Sequence, residues 1–475
     1  MIARIIIFIL YLLKPKLYNQ MTKLKSVFGI IVLMLLVSCG SQDKEPWIDL
    51  FNGEDLSGWV QRGGDAMYEV RDNMIVGKTV LETPNSFLCT EKDYSDFILE
   101  YEVKVDPKLN SGVQIRSESK PEYMNGRVHG YQVEIDPSDR AWTAGIYDEA
   151  RRGWLYPLDL NPPAKSAFKQ NEWNKFRVEC VGSHIKTFLN GIHVVNLYDE
   201  KTAEGFIALQ VHSVAPKPEN EGIEVAWKNI RIITEDVEKY ETVSEAPLYS
   251  RLKNKLAPEE KAMGFKLLFD GETSDGWRNA YKETFPEKGW TIEDGVLTVE
   301  ASGGGESRHG GDIVTVDEYS DFDFQLEFRI TEGANSGIKY FVVEKEGKGH
   351  VGSAIGLEYQ ILDDKKHPDA NQGNHDGSRT LASLYDLIKA SDSKRFYGIG
   401  VWNAARIVSK DNHIEHYLNG IKVLEYERGS EEFRKLVAES KYKVWEKYGE
   451  AESGHILMQD HGNEVSYRSI KIREL

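Results

Sequence analysis

An internal duplication constrains this chain more than any other feature. Phe51-Asn52-Gly53-Glu54 followed by Gly58-Trp59 returns, 218 positions later, as Phe269-Asp270-Gly271-Glu272 followed by Gly276-Trp277. Tyr94-Ser95-Asp96-Phe97 returns as Tyr319-Ser320-Asp321-Phe322, and Asn110-Ser111-Gly112 as Asn335-Ser336-Gly337. Near the end of each copy, Trp173-Asn174 with Leu189-Asn190-Gly191-Ile192 matches Trp402-Asn403 with Leu418-Asn419-Gly420-Ile421. Solenoid repeats run roughly 20–50 residues, so a period near half the 475-residue chain is a tandem pair of domains.

Within each copy the hydrophobic pattern has a period of two, which marks strands with one buried face. Phe97 to Val103, Phe324 to Phe328 and Trp227 to Arg231 all read this way. Asn190-Gly191 and Asn419-Gly420 sit between strand-like runs, a strong hairpin signal. The expected fold class is all-β: two tandem antiparallel β-sandwiches of jelly-roll, concanavalin A-like type. The expected divisions are a leader at 1–39, a first sandwich at 40–234, a linker at 235–262 and a second sandwich at 263–475. The linker is rich in Glu and Lys and nearly free of strand pattern; Leu252, Leu256 and Pro258 permit a short helix. Glu431 to Tyr448 departs from the period of two, with Phe433, Leu436, Val437, Val444, Trp445 and Tyr448 at helical spacing. This insertion of the second copy predicts a surface helix on the sandwich, or a lid over a nearby pocket.

The first 39 residues carry Arg4, Lys14, Lys16, Lys23 and Lys25 and no acid. From Met21 a short basic stretch precedes an apolar run from Val27 to Val37, a signal-peptide length that is too short to span a bilayer. Leu36-Val37-Ser38-Cys39-Gly40 resembles a bacterial lipobox, so Cys39 is the expected lipidated residue and the cell envelope the expected location, with the membrane engaged through lipid only. Removing the leader takes the formal charge from −17 to −22. Nucleic-acid binding leans on clustered Lys and Arg, and 59 basic against 76 acidic residues give the opposite balance. Three cysteines make no disulfide scaffold, and Cys89 and Cys180, in strand-like segments, read as buried free thiols.

Strand geometry also aligns polar residues. In Gly356 to Asp363, Glu358 and Gln360 share one side, with Leu357, Tyr359 and Ile361 on the other. In the first copy Gln132, Glu134 and Asp136 align. Gln459 aligns with His461, as Gln210 does with His212. A polar face can simply meet water. The recurrence of Gln, Glu and His at matching places, with His367, Asp369 and His375 added in the second copy, points instead to a polar concave surface. His184 and His413, near the hairpins, read as surface residues.

The order of these motifs resembles the 3-keto-disaccharide hydrolase family: F-x-G-x-x-x-x-G-W, Asn-Ser-Gly before an apolar strand, Gly356 to Asp363, His367-Pro368-Asp369-Ala370, Ser383-Leu384-Tyr385-Asp386-Leu387, L-N-G, and Gln459-Asp460-His461-Gly462. The first copy carries it through Asn110 to Arg116, Ile146-Tyr147-Asp148-Glu149 and Arg151 to Tyr156. The resemblance implies a concanavalin-like jelly roll acting on a small glycoside or disaccharide already oxidised at C3. A C3 ketone acidifies the C2 proton; a base removes it, the enolate expels the C1 substituent, and water adds to the enone. Paired carboxylates at fixed separation are not required.

On that implication His461 is the base, since imidazole shuttles protons near neutral pH. Glu358 and Gln360 bind or protonate the sugar, Asp363, His367 and Asp369 complete the site, and Tyr385 and Gln459 bind substrate. In the first copy Gln132, Glu134, Asp136, Gln210 and His212 contribute, and Arg116 could clamp a sugar hydroxyl. Its counterpart, Phe341, is apolar, and Gln132/Glu134 reverse the order of Glu358/Gln360, so the two copies need not catalyse the same step. A divalent metal held by His and carboxylates could polarise the ketone, although no tight motif such as H-E-x-x-H is present. The alternative function is a lectin-like envelope protein that stacks sugars on Trp142, Trp154 and Tyr156 without catalysis.

Overall fold

The computed structural model describes residues 46–303, 305, 309–344 and 354–475. The expected leader, Cys39 included, lies outside the described residues.

The period of two becomes two pairs of antiparallel sheets. In the first copy one sheet runs Ile192–Tyr198, His184–Leu189, Asn174–Val181, Phe97–Val105, Glu224–Ile233, Met74–Lys78 and Met67–Arg71. The other runs Gly153–Tyr156, Ile146–Glu149, His129–Ile135, Ser111–Glu118, Gly205–Val211, Ser86–Tyr94 and Trp59–Gly63. Neighbours in space are distant in sequence, as Phe97–Val105 between Asn174–Val181 and Glu224–Ile233 illustrates; this crossing-over is what a jelly roll requires. The inward residues of both sheets, among them Phe97, Phe176, Val113, Tyr131 and Trp227, share one core. Truncating buried aromatic side chains of this kind to Ala costs roughly 3–5 kcal/mol each.

The second copy repeats the plan. A larger sheet runs from Trp290–Glu293 through Val465–Glu474, Phe322–Ile330 and Asn403–Lys410 to Ile421–Glu427. A five-stranded sheet runs Trp277–Asn279, Ile313–Thr315, His455–Met458, Asn335–Val343 and Ile355–Leu362. Most of the repeated sequence motifs serve this scaffold. At both hairpins Asn and Gly have positive φ, 51° and 84° at Asn190-Gly191 and 51° and 81° at Asn419-Gly420, the pattern of a type I′ turn. Asn174 and Asn403 of the Trp-Asn pairs each accept a hydrogen bond from that turn asparagine at 2.8 Å. In the F-x-G-x-x-x-x-G-W segments Trp59 Nε1 donates to Leu50 O and Trp277 Nε1 to Leu268 O.

The linker carries more structure than its composition suggests. Leu248–Ser250 pairs in parallel with Ile192–Tyr198, covering an edge of the first copy's sheet. Three residues are too few for a legible period. The short helix Pro258–Ala262 follows, and its buried Glu260 accepts from Lys471 Nζ in the second copy at 2.5 Å.

The insertion is not one helix. Ser430 caps Glu431–Glu439 by accepting from Phe433 N, and at Ser440 the backbone becomes extended. The Ser440 hydroxyl donates to Val437 O and accepts from Tyr442 N, ending one element and starting a 3-10 turn at Lys441–Val444. The helical spacing is therefore shared by two elements whose Phe433 and Tyr442 are buried.

Cys89 and Cys180 are buried free thiols, with burial pushing them up to about 12 and about 11. His184 corrects the surface expectation: it is buried, stacked on Tyr198 at 4.1 Å and bonded to Asn196. Tyr198 on the next strand and Glu259 of the linker, 3.9 Å away, cover it. His413 lies at the surface, half-buried, and bonds Glu427.

Candidate functional site

Asn335-Ser336-Gly337 opens the strand on which the second copy's polar face is built. Ser336 Oγ donates to Gln459 O at 2.8 Å, fixing this strand against the Gln459-Asp460-His461 segment. Gly337 leaves room: a Cβ there would lie 2.2 Å from Glu358 Oε1. The carboxylate thus lies folded over a position where no side chain fits. Two residues on, Lys339 stands directly opposite Glu358 in the strand register. Opposite charges in direct cross-strand pairs are favourable, so the register alone sets an ammonium beside this buried carboxylate.

The segment after the polar strand runs back along it as a short edge. Gln360 N donates to Ser383 O, Ala382 N to Gln360 O and Tyr385 N to Glu358 O. Tyr385 is thereby held beside Glu358, and its hydroxyl donates to Asp369 Oδ2 at 2.8 Å. Arg379 bridges Asp369 Oδ1 at 2.7 Å and buried Asp386 Oδ1 at 2.8 Å. The other oxygen of Asp386 accepts from Lys441 N at 2.9 Å, anchoring the insertion. Lys441 Nζ then lies 4.2 Å from the centre of the Tyr385 ring, a cation–π contact.

These elements enclose a cavity of about 210 Å³. Lys339, Glu358, Gln459 and His461 line it from the sheet and the segment after it, Tyr385 from the edge segment, and Lys441 and Trp445 from the insertion, together with Asp312 and Asn335. Lys441 is exposed as a whole, but desolvation of its ammonium beside the cavity lowers its pKa, against the opposing pull of Glu358. The insertion is thus a wall of the cavity as well as a packed helix.

Of the expected site residues, His461, Glu358, Tyr385 and Gln459 are brought together, and four others do other work. Asp363 accepts from Gly333 N and Lys365 N and shapes a turn. Asp369 holds Tyr385 and Arg379 as described. His367 caps Pro368–Asn371 by accepting from Asp369 N, with its ring 6.0 Å from that of His461; burial and then the His461 charge lower its pKa. Gln360 is fully buried beneath the site, with its carbonyl unpartnered. Alternation gave the right face but not the depth, because turn residues close in sequence to a site residue need not reach the cavity. The missed residues are Lys339, Lys441, Asp312, Trp445, Arg379 and Asp386. Lys339 was findable two positions after Asn-Ser-Gly; Lys441 and Trp445 depend on how the insertion folds back.

The first copy has the same frame with different occupants. Ser111 Oγ donates to Gln210 O, and Gly112 lies opposite Glu134, with Gln114 opposite Gln132. A Gln–Gln pair, bonded at 2.6 Å, therefore stands where the second copy has Lys339 and Glu358. Glu134 accepts from Asn110 Nδ2 at 2.5 Å and from Gln132 Nε2 at 3.0 Å. A cavity of about 370 Å³ is lined by Gln132, Glu134 and His212 together with Arg127, Arg140 and Trp154. Asp136 holds Arg140 at 2.7 Å, and Gln210 is buried below without reaching the cavity. Arg116 is no sugar clamp: it is 1% exposed and donates to Ser95 O, Gly182 O and Asp96 at the other side of its strand. Its bulge, with φ of 44°, turns the side chain away from the polar face. Tyr156 is buried with its hydroxyl on Pro247 O, and Trp142 is 5% exposed, so Trp154 alone of the three aromatics lines the cavity. Arg151 and Arg152 converge on buried Asp148 in a structural ion cluster.

Burial raises Glu134 from a usual 4.5 to about 7. The native state then keeps a proton that the unfolded chain has released between these two values, so stability falls as pH rises through the window and the loss is complete above it. The expected loss is up to about 3 kcal/mol. Denaturant midpoints of the wild type and Glu134→Gln at pH 4.5, 6 and 8 check this: the wild type should lose stability across the series relative to the variant.

For a metal, the donor set does not fit the cavity. Among the described residues, the group whose ligand atoms approach one another closely enough is His413, Glu415 and Glu425 on the outer surface of the larger sheet. Lys422 already pairs with both carboxylates. No step is assigned to a metal here.

Comparison with known proteins returns a family. The profile of the 3-keto-alpha-glucoside-1,2-lyase-like domain matches residues 46–233 and again 264–473. A 3-keto-disaccharide hydrolase of Bacteroides thetaiotaomicron is 36% identical over 236 residues, spanning 45% of this chain and 79% of that protein. Two Parabacteroides distasonis proteins of known structure, named as candidate glycosyl hydrolases, are 30% and 26% identical. They cover 47% and 44% of this chain and 100% and 99% of their own, with TM-scores of 0.42 and 0.34.

Proposed function

The chain belongs to the 3-keto-alpha-glucoside-1,2-lyase-like family, carrying two tandem copies of its domain, and from this premise we propose that the second copy performs the elimination and hydration of 3-keto-glycosides. It is an enzyme of the glycoside hydrolase or lyase kind. The observation that carries the assignment to the second copy is the Lys339–Glu358 pair beside His461 in one cavity, against Gln114–Gln132 in the first.

His461 takes the C2 proton. Electron density moves onto the C3 oxygen, where the ammonium groups of Lys339 and Lys441 stabilise the enolate. The C1–oxygen bond then breaks, and the departing oxygen takes a proton from the Lys441 ammonium at the cavity wall. Water adds at C1 of the enone, passing its proton to the Lys441 amine left by the previous step, and the proton held on His461 returns to C2. Glu358 and Gln459 accept and donate to the sugar hydroxyls, and Trp445 packs against the ring or the leaving group. The leader ending at Cys39 supports an envelope-anchored form of this enzyme.

The test is incubation of the chain with p-nitrophenyl 3-keto-glucoside and with the unoxidised glucoside. Expected is nitrophenol release from the oxidised substrate only. Equal release from both would overturn the elimination route, and retention of the ketone without product would favour the lectin reading.

A further inference from the structure

The first copy keeps a cavity of about 370 Å³, larger than that of the second, and keeps His212 at the place of His461, but lacks the lysines that would hold an enolate there. Gln114 and Gln132 replace the lysine and carboxylate, and no lysine lines this cavity. Both oxygens of Glu134 accept from the amides of Asn110 and Gln132, so it fixes those amides in place. The first copy also has no insertion at the place of Glu431–Glu439, since only a few residues join Ile192–Tyr198 to Gly205–Val211. Its cavity is consequently open on the side that Lys441 and Trp445 close in the second.

What lines the opening has the chemistry of saccharide recognition. Trp154 is half-buried, held edge-on to Trp142 at 4.5 Å and to Tyr147 at 5.2 Å, which fixes its indole at little entropic cost. Arg140 lies 4.9 Å from the centre of that indole and is tied to Asp136 at 2.7 Å, while Arg127 is tied to Glu149 at 3.2 Å. Both guanidinium groups are thus neutralised by a carboxylate, and a charged ligand gains little. Paired donors and acceptors beside a rigid aromatic suit vicinal hydroxyl groups. Beneath this floor the fully buried Gln210 amide, on the strand register of Gly112 and Glu134, has neither polar atom partnered within the described structure.

We infer that the first copy is a non-catalytic binding site for a neutral saccharide, held by the Trp154 indole and the Arg127 and Arg140 ion pairs, which retains a glycan while the second copy acts on oxidised sugar. The inference goes beyond the proposed function and does not depend on it, because it is read by binding and not by turnover.

The experiment is isothermal titration of the Glu358→Gln chain with cellobiose, maltose and glucuronic acid. Expected is binding of at least one neutral disaccharide and none of glucuronic acid, with Trp154→Ala weakening the affinity at least tenfold and Trp445→Ala leaving it unchanged. In the wild type, turnover of p-nitrophenyl 3-keto-glucoside should persist at saturating disaccharide. No binding of either disaccharide at 10 mM, preference for the uronate, an affinity lost in Trp445→Ala, or competitive inhibition of turnover would each overturn the inference. If the chain shows no turnover, the titration still decides it.

Discussion

His461→Ala is expected to lower kcat on a 3-keto-glucoside by roughly 10²–10⁴-fold, the usual contribution of a positioned general base. The fold should survive, since His461 sits part-exposed at the cavity while the neighbouring Asp460 carries the local structure through Gly310 N, Gly311 N and Gly462 N. Glu358→Gln gives the contrast. The amide still fits over Gly337 and still bonds hydroxyl groups, but it no longer balances Lys339 and Lys441. Its effect should fall on KM as well as kcat, whereas that of His461→Ala falls on kcat. Steady-state kinetics with circular dichroism separates these outcomes, and turnover in His461→Ala equal to wild type would remove the imidazole from the proton transfer.

The second large effect is on stability. Glu260 and Lys471 are 3% and 4% exposed and joined at 2.5 Å, and Glu260 also accepts from Ala257 N. Glu260→Ala leaves a buried ammonium without its counter-charge, and such one-sided removals cost about 3–5 kcal/mol. Replacing both partners, as Glu260→Leu with Lys471→Met, should recover most of that, because desolvation of the pair nearly cancels its attraction. Urea unfolding of the single and double variants reads the difference; a single variant within about 1 kcal/mol of wild type would mean that water reaches the pair.

The two cases also mark how far the sequence could be read. The repeat, the alternation and the Asn-Gly hairpins led directly to the paired sandwiches, because each is a local rule with one structural solution. The polar face was legible too: Glu358, Gln459 and His461 follow from a strict period of two. Lys339 obeys the same rule but sits in an otherwise apolar strand, where a lone lysine reads as a solvent-facing residue. Lys441 and Trp445 could not be placed, since their position depends on the break at Ser440 and on Asp386, 55 residues before Lys441, receiving the Lys441 amide. Arg116 misled for a related reason: the bulge that reverses its side chain depends on partners at Ser95 and Gly182 that no short pattern reveals.

The segment between the copies has a consequence for how such a protein can be divided or diversified. Its Leu248–Ser250 strand belongs to the first sandwich and its Glu260 to the interior of the second. A cut on either side of it therefore strips a strand from one half or a counter-ion from the other. Recombination at this seam exchanges intact halves only if the partner brings a matching segment.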